Sequence, residues 1–448
     1  MTARAAFVLC LVATTAAGPL SARPAEPLTL TEALALAAEL NETPAIAAAR
    51  LERADAFRRQ AIAALVPSLT VTGAYTRRPR EVTRLIDGDE VTVQAIDAMN
   101  SQATAETVLF DLRALPLVRA ANRGVEAQRF ESAELERALA YDVAVGFFTV
   151  LSAERLEAAV RERVEVAAAT LDEAKVRLEA GLAGRNDVTR TDLELATARL
   201  DATRAAQAVV AARLALGYLV NSPVEERPLA EPEEAAALAT DLAAAVELAL
   251  AGRGEIEALE RRAEQARQLA LEPRYRILPR FDLRGIYRWT NETGLSGRES
   301  DWNVALGLTW ELFDGGDRFA VAAQRDAEAR EAELVLAERR RAVELEVAQA
   351  ASALETAGSA VEQAVVRLAV ARANAVEVRE RILNGLATAL EQADAQVEQF
   401  EADAELVRQR YTRALARLAL DRAMGLWPAQ AAPPGEATAE PPAEGAAS

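Results

Sequence analysis

The chain has 448 residues, 51% of them apolar but only 4% aromatic, with 27% charged and a formal net charge of −18. That balance argues against nucleic-acid binding and for a well-solvated surface, or a conduit that disfavours anions. There is no histidine and the one cysteine is Cys10, which excludes a histidine-based catalytic triad, a zinc site and a disulfide in the mature chain.

Residues 1–22 carry the pattern of a secretory signal: Arg4, an apolar run from Ala5 to Ala17, then small residues, with Leu20-Ser21-Ala22 as the preferred cleavage site. The run is too short for a membrane helix, and no later segment approaches twenty apolar residues. Cys10 lies in mid-run after Leu9, which argues against lipidation. An exported protein is expected, with any membrane contact made by strands. Leu28–Leu40 predicts a short helix capped by Thr29 or Thr31, and a second helix follows Pro44 and stops before Pro67. From Leu69 to Arg77 the pattern alternates, predicting a strand. A polar loop, about Arg78–Asn100, contains Asp87-Gly88-Asp89, and a second strand spans about Gln102–Asp111. From Pro116 to Pro223 no proline interrupts a helical stretch, whose one break is Gly181-Leu182-Ala183-Gly184-Arg185-Asn186-Asp187.

The second half repeats this programme, so residues 23–223 and 224–427 read as two structural repeats, with hairpins at about 68–111 and 280–313. Helices are predicted at about Ala239–Leu250 and Glu255–Glu272. In Phe281–Thr290, Phe281, Leu283, Gly285, Tyr287 and Trp289 alternate with mostly polar residues. In Trp302–Leu312, Trp302, Val304, Leu306, Leu308, Trp310 and Leu312 do the same. Each run is about ten residues long, enough for a tilted strand to cross a bilayer, and the aromatic ends suit the headgroup level. A half-buried soluble hairpin has the same alternation, so this stretch alone leaves both readings open. Leu312-Phe313-Asp314 echoes Leu109-Phe110-Asp111, and Asn384-Gly385-Leu386-Ala387 breaks a second proline-free helical stretch as Gly181-Leu182-Ala183 breaks the first. The tail, residues 428–448, is rich in Pro, Ala, Gly and Glu and reads as disordered.

The two long helical runs, about Leu115–Ala180 and Gly316–Leu383, would each reach about 100 Å at 1.5 Å per residue. The remaining helices come in halves that, stacked end to end, would match one long helix. Leu354, Val361, Leu368, Ala375 and Ile382 recur every seventh residue, with Ala357, Ala364, Ala371 and Val378 three places after the first four. That is a coiled-coil seam with small residues permitting close approach. Four strands per chain cannot form an open sheet in lipid, because its edges would be unpaired. The sheet must close between subunits: two chains would give a filled eight-stranded barrel, three a twelve-stranded one with room for a channel.

The duplicated order, the Pro-x-Leu/Phe strand openings at Pro67 and Pro279, Leu-Phe-Asp-Gly-Gly at Leu312–Gly316 and the Gly-Leu-Ala turns at Gly181 and Gly385 resemble the TolC-like outer-membrane efflux family. The likeness spans Leu28 to Trp427; Leu109–Leu112 departs from it, lacking the glycines. The resemblance implies a mainly α fold with a membrane β-barrel portion. It would be a homotrimer whose twelve-stranded barrel continues into a long α-helical coiled-coil barrel in the periplasm. It implies a passive exit duct of a tripartite efflux pump or type I secretion system, partnered by a periplasmic adaptor and an inner-membrane pump and seated in outer-membrane lipid. No enzyme activity or cofactor is expected; a trimeric scaffold without transport is the alternative. By position, adaptors would dock at the turns of Gly181, Leu182, Gly385 and Leu386. Acidic side chains would close the duct there, with Glu391, Asp394 and Asp187 as gate residues and Arg185 pairing with a carboxylate of the adjacent turn. Asp187 also fits an ordinary helix N-cap, and Glu391 and Asp394 a solvated face. The apolar faces carrying Phe281, Leu283, Tyr287, Trp289, Trp302, Val304, Leu306, Leu308 and Trp310 would meet lipid.

Overall fold

A computed structural model describes residues 27–86, 89–224, 227–232, 241–292 and 298–427; the signal segment, the Asp87-Gly88 pair and the tail lie outside them. The first repeat comprises α1 (Leu30–Leu40), α2 (Glu42–Ala63), β1 (Ser68–Arg77), β2 (Val82–Ile86), β3 (Asp89–Gln94), β4 (Asp97–Phe110), α3 (Ala114–Glu179) and α4 (Arg185–Val220). The second comprises α5 (Leu242–Gly252), α6 (Gly254–Tyr275), β5 (Arg280–Thr290), β6 (Ser300–Thr309), α7 (Asp317–Leu383) and α8 (Ala389–Ala423). Helix lengths run 11, 22, 66 and 36 residues in the first repeat and 11, 22, 67 and 35 in the second. So close a match in order and length is a duplicated unit. No helix among the described residues is long and apolar enough to cross a membrane.

Local chemistry sets the helix ends. Thr29, not Thr31, caps α1, its Oγ1 accepting the Glu32 amide at 3.2 Å. Asn41 caps α2, its Oδ1 accepting the Thr43 amide at 2.8 Å. Pro44 therefore lies inside the first turn of α2 rather than ahead of the helix, where its missing N–H costs nothing. Likewise α6 runs through Pro273 and stops two residues later, past the expected end at Glu272.

The half-helices stack end to end. Asn41 Nδ2 donates to the Leu219 carbonyl and Asn221 Nδ2 to the Leu40 carbonyl, both at 2.8 Å, so the end of α4 abuts the α1–α2 junction. Asn221 reaches that position in the left-handed region, at φ +50°. In the second repeat Gly425, at φ +75°, does the same against Gly252; a Cβ there would come within 3.2 Å of the Gly252 backbone. Thus α2 and α4 both pack along α3, and α6 and α8 along α7.

At each junction lies an apolar cluster. The first holds Leu28, Ala33, Ala37, Leu139, Val143, Phe147 and Leu216, the second Ala245, Ala249, Ile256, Val343, Val347 and Met424. Further along, Val361, Ala364, Leu368 and Ala371 of α7 meet Ala402 and Leu406 of α8. The predicted seven-residue seam is the buried stripe of α7, with Leu354 and Ala375 half-buried and its other members buried. Among the described residues Phe147 is the largest fully buried side chain. Phe147→Ala should cost about 3–5 kcal/mol, read as a fall in the unfolding midpoint of the detergent-solubilised protein; an unchanged midpoint would contradict this packing.

Candidate functional site

The strands form one four-stranded antiparallel sheet in the order β1-β4-β5-β6, so β1 and β6 are its edges. β4 begins at Asp97, five residues before the expected start, because all ten residues of β1 find partners, from Ser68 opposite Glu106 to Arg77 opposite Asp97. The expected polar loop between them holds a second hairpin, β2 paired with β3. The sequence Asp87-Gly88, which lies outside the described residues, is a dipeptide common in hairpin turns.

Register brings the alternating faces together. Phe281 lies opposite Leu308, Leu283 opposite Leu306 and Tyr287 opposite Trp302. Tyr287 also faces Ala103, which faces Val71, while Tyr75 faces Met99. One face of the sheet is therefore apolar across all four strands. On β6 it is largely bare, with Trp302 72% and Leu306 68% exposed. The opposite face is polar: Arg284 pairs with Glu106 at 3.1 Å, and Arg288 Nε donates to Gln102 Oε1 at 3.1 Å. Trp310 departs from the expected strand. β6 ends at Thr309, one residue earlier, and the Trp310 indole N–H is drawn to the Ile277 carbonyl at 3.0 Å, outside the sheet.

At the far end of the long helices the two turns share one construction. Gly181 and Gly385 take φ of +71° and +72°. Their amides donate to the Leu178 and Ile382 carbonyls at 3.0 Å, and the Leu182 and Leu386 amides to the Arg177 and Arg381 carbonyls at 2.8 Å. This is the Schellman closure of a helix, and it needs a residue at ease with positive φ. Leu182 and Leu386 are exposed at the turns. The next helix opens on a carboxylate. Asp187 Oδ2 accepts the Gly184 amide at 2.8 Å, and Glu391 Oε2 accepts the Thr388 amide at 2.7 Å, while Thr388 Oγ1 accepts the Glu391 amide at 3.3 Å. Asp187 thus sits three residues inside the cap rather than at it.

Glu391 is therefore engaged in closing its own helix start, a capping box. Hydrogen bonds from the Thr388 amide and hydroxyl hold its carboxyl below the usual carboxylate range, with Arg381 nearby adding to the effect. Asp394, less than one turn further along α8, is exposed and has no hydrogen bond or ion pair among the described residues. Arg185, first residue of α4, is exposed and forms no ion pair within one chain among those residues. Sequence reasoning missed Arg177, whose Nη2 donates to the Ile382 carbonyl at 3.1 Å and ties the end of α3 to the end of α7.

The outer membrane efflux protein family model matches residues 33–222 and 245–426, that is, most of both repeats. The chain belongs to this family. Its fold is that of solved outer-membrane proteins and channels. VceC from Vibrio cholerae shares 19% identity and a TM-score of 0.77, covering 88% of this chain and 96% of its own. The CmeC outer membrane channel of Campylobacter jejuni shares 16% identity at 0.77, covering 88% and 85%. The open-state MtrE outer membrane channel of Neisseria gonorrhoeae shares 20% identity at 0.72, covering 88% of each chain. No curated protein sequence matches this chain. Within this efflux-family fold, the two closing turns stand at the opposite ends of the long helices from the sheet.

The Glu391 capping box gives a pH test. Because the folded-state value is depressed, its contribution is present above the ordinary glutamate range and is lost as pH falls through the lower folded value. Hydrogen-exchange protection of the Thr388 amide, corrected for intrinsic rate, should drop on acidification in the natural chain. In Glu391→Gln it should start lower and stay flat; equal profiles would contradict the capping role.

Proposed function

We propose that three copies of this chain close their sheets into a twelve-stranded barrel in outer-membrane lipid. The long helices then continue it into the periplasm as the exit duct of a tripartite efflux pump or type I secretion system. The observation that carries this reading is the sheet itself: one face apolar and exposed, the other polar, and two edges without strand partners among the described residues. In hydrocarbon those edges must pair, and three copies leave a lumen wide enough for water. The signal segment delivers the chain across the inner membrane and is removed. The duct is passive; an adaptor docks at the turns of Gly181, Leu182, Gly385 and Leu386, and an inner-membrane pump supplies energy.

Two measurements test it. Leu306→Arg places a charge on the lipid face and should cost about 2–4 kcal/mol near the midplane, seen as loss of heat-resistant trimer in outer-membrane fractions; full trimer would sink the lipid assignment. At the turns, Asp394 and Glu391 from three chains would ring a narrow opening with six carboxylates, attracting cations and repelling anions. Replacing both with Ala should weaken cation selectivity in planar bilayers. Wild-type selectivity in the double variant would put the gate elsewhere, and no conductance in any variant would favour a scaffold.

A further inference from the structure

Along the stretch of α3 that leads to the turns, side-chain contacts join the first repeat to the second within one chain. Arg177 Nη2 donates to the Ile382 carbonyl at 3.1 Å, Thr170 Oγ1 donates to Gln396 Oε1 at 3.1 Å, and the Arg163 guanidinium lies 4.8 Å over the Phe400 ring. All run from α3 towards α7 or α8. In this part of the chain the repeats are related by a constant shift of about 204 positions, since Gly385 follows Gly181, Arg381 follows Arg177 and Glu391 follows Asp187 by the same interval. In a closed ring of such repeats, every repeat meets the next through the same geometry. The first-to-second contact lies inside a chain, and the second-to-first contact lies between chains.

Carrying each contact forward by that interval gives definite partners. Arg177 becomes Arg381 and Ile382 becomes Leu178; Thr170 becomes Asn374 and Gln396 becomes Asp192; Arg163 and Phe400 become Arg367 and Ala196, which abolishes the ring contact. We propose that Arg381 donates to the carbonyl of Leu178 in the neighbouring copy of this chain, and Asn374 to the carboxylate of that copy's Asp192. The proposal rests on the trimeric reading above.

Three observations carry it. The Leu178 and Ile382 carbonyls each accept the amide of their turn glycine at 3.0 Å, yet among the described residues only Ile382 also receives an arginine. In one chain, Arg381 makes only a 3.3 Å bond to the Leu386 carbonyl and a 4.0 Å approach to Glu391. Asn374 and Asp192 are both exposed, with no hydrogen bond or ion pair among the described residues. Their chemistry is complementary in one sense only: an ionised aspartate accepts and the asparagine amide donates. An arginine at the C-terminal end of α3 would also meet the negative end of that helix. Six arginine-to-carbonyl bonds, three within chains and three between them, then fasten the ends of the long helices around the opening, and parting the turns breaks them.

The test is disulfide trapping in a Cys10→Ser background. Asn374→Cys with Asp192→Cys, oxidised as the assembled protein, should run as a covalent trimer on a non-reducing gel. Cysteines bridge only when their Cα atoms come within about 7 Å. Thr170→Cys with Gln396→Cys, across the contact already present in one chain, should close within the monomer and reports that oxidation has gone to completion. Native mass spectrometry of the natural chain separates the two possible failures. A trimer whose Asn374→Cys/Asp192→Cys variant stays monomeric on the gel, while the control closes, overturns this contact; no trimer at all overturns the ring reading. Arg381→Ala should raise the resting conductance of purified trimers several-fold, and cross-linking without that rise would overturn the part given to Arg381.

Discussion

Backbone hydrogen bonding at the two sheet edges is the constraint on which the proposed assembly depends. β1 and β6 each turn one row of N–H and C=O groups away from the sheet. In water such an edge is tolerable; in hydrocarbon each unpaired group would cost several kcal/mol. The exposed apolar face of the same strands points to hydrocarbon. The chain therefore carries a sheet suited to lipid on one face and unfit for lipid at its edges, and the proposed closure with further copies would reconcile the two. In that proposed assembly the polar face, with Arg284 on Glu106 and Arg288 on Gln102, would lie where water is.

The helical part solves a different problem with the same duplicated parts. A rod of about 100 Å has little volume for its surface, so it cannot rely on one central core. Stability is spread instead over four small clusters, two at the junctions and two along the α3–α4 and α7–α8 pairs. Alanines in these seams bring helices close and keep contact density high where large side chains would hold the backbones apart. End-to-end stacking through Asn41 and Asn221 satisfies helix-terminal groups that would otherwise be left without partners.

The repeats have diverged where their surroundings differ. Asn41, between the short helices of the first repeat, uses its amide on the Leu219 carbonyl. Arg253, in the same place in the second, is nearly buried and bridges Glu255 at 2.9 Å and Glu346 at 2.7 Å, with Arg339 on both acids. Burial acts to raise the Glu346 carboxyl, but hydrogen bonds from Arg253 and Arg339 outweigh it and hold it below the usual range. A neutral lock in one repeat is thus an ionic one in the other, and breaking the latter by removing one partner would strand a charge.

Periodicity alone determined the duplication, the four principal strands, the two long helices with their seam, and the glycine turns. Each is a local pattern with a local cause: period two, period seven, or a positive φ that only glycine takes cheaply. The sequence could not determine the strand register, the extra β2–β3 hairpin or the true start of β4, because pairing partners far apart in the chain set these. Nor could it reveal that Trp310 leaves the sheet for the Ile277 carbonyl, or that Glu391 turns back on Thr388 while Asp394 bonds to no side chain among the described residues. A carboxylate three residues into a helix reads the same in sequence whether or not it bonds back to the start of that helix. Arg177 was silent for the same reason: one arginine among many in a charged helix gains meaning only when the end of α7 comes to lie beside it. What the tertiary structure decided was which donor meets which acceptor across the repeats, since that depends on distances the chain acquires only when both long helices pack together.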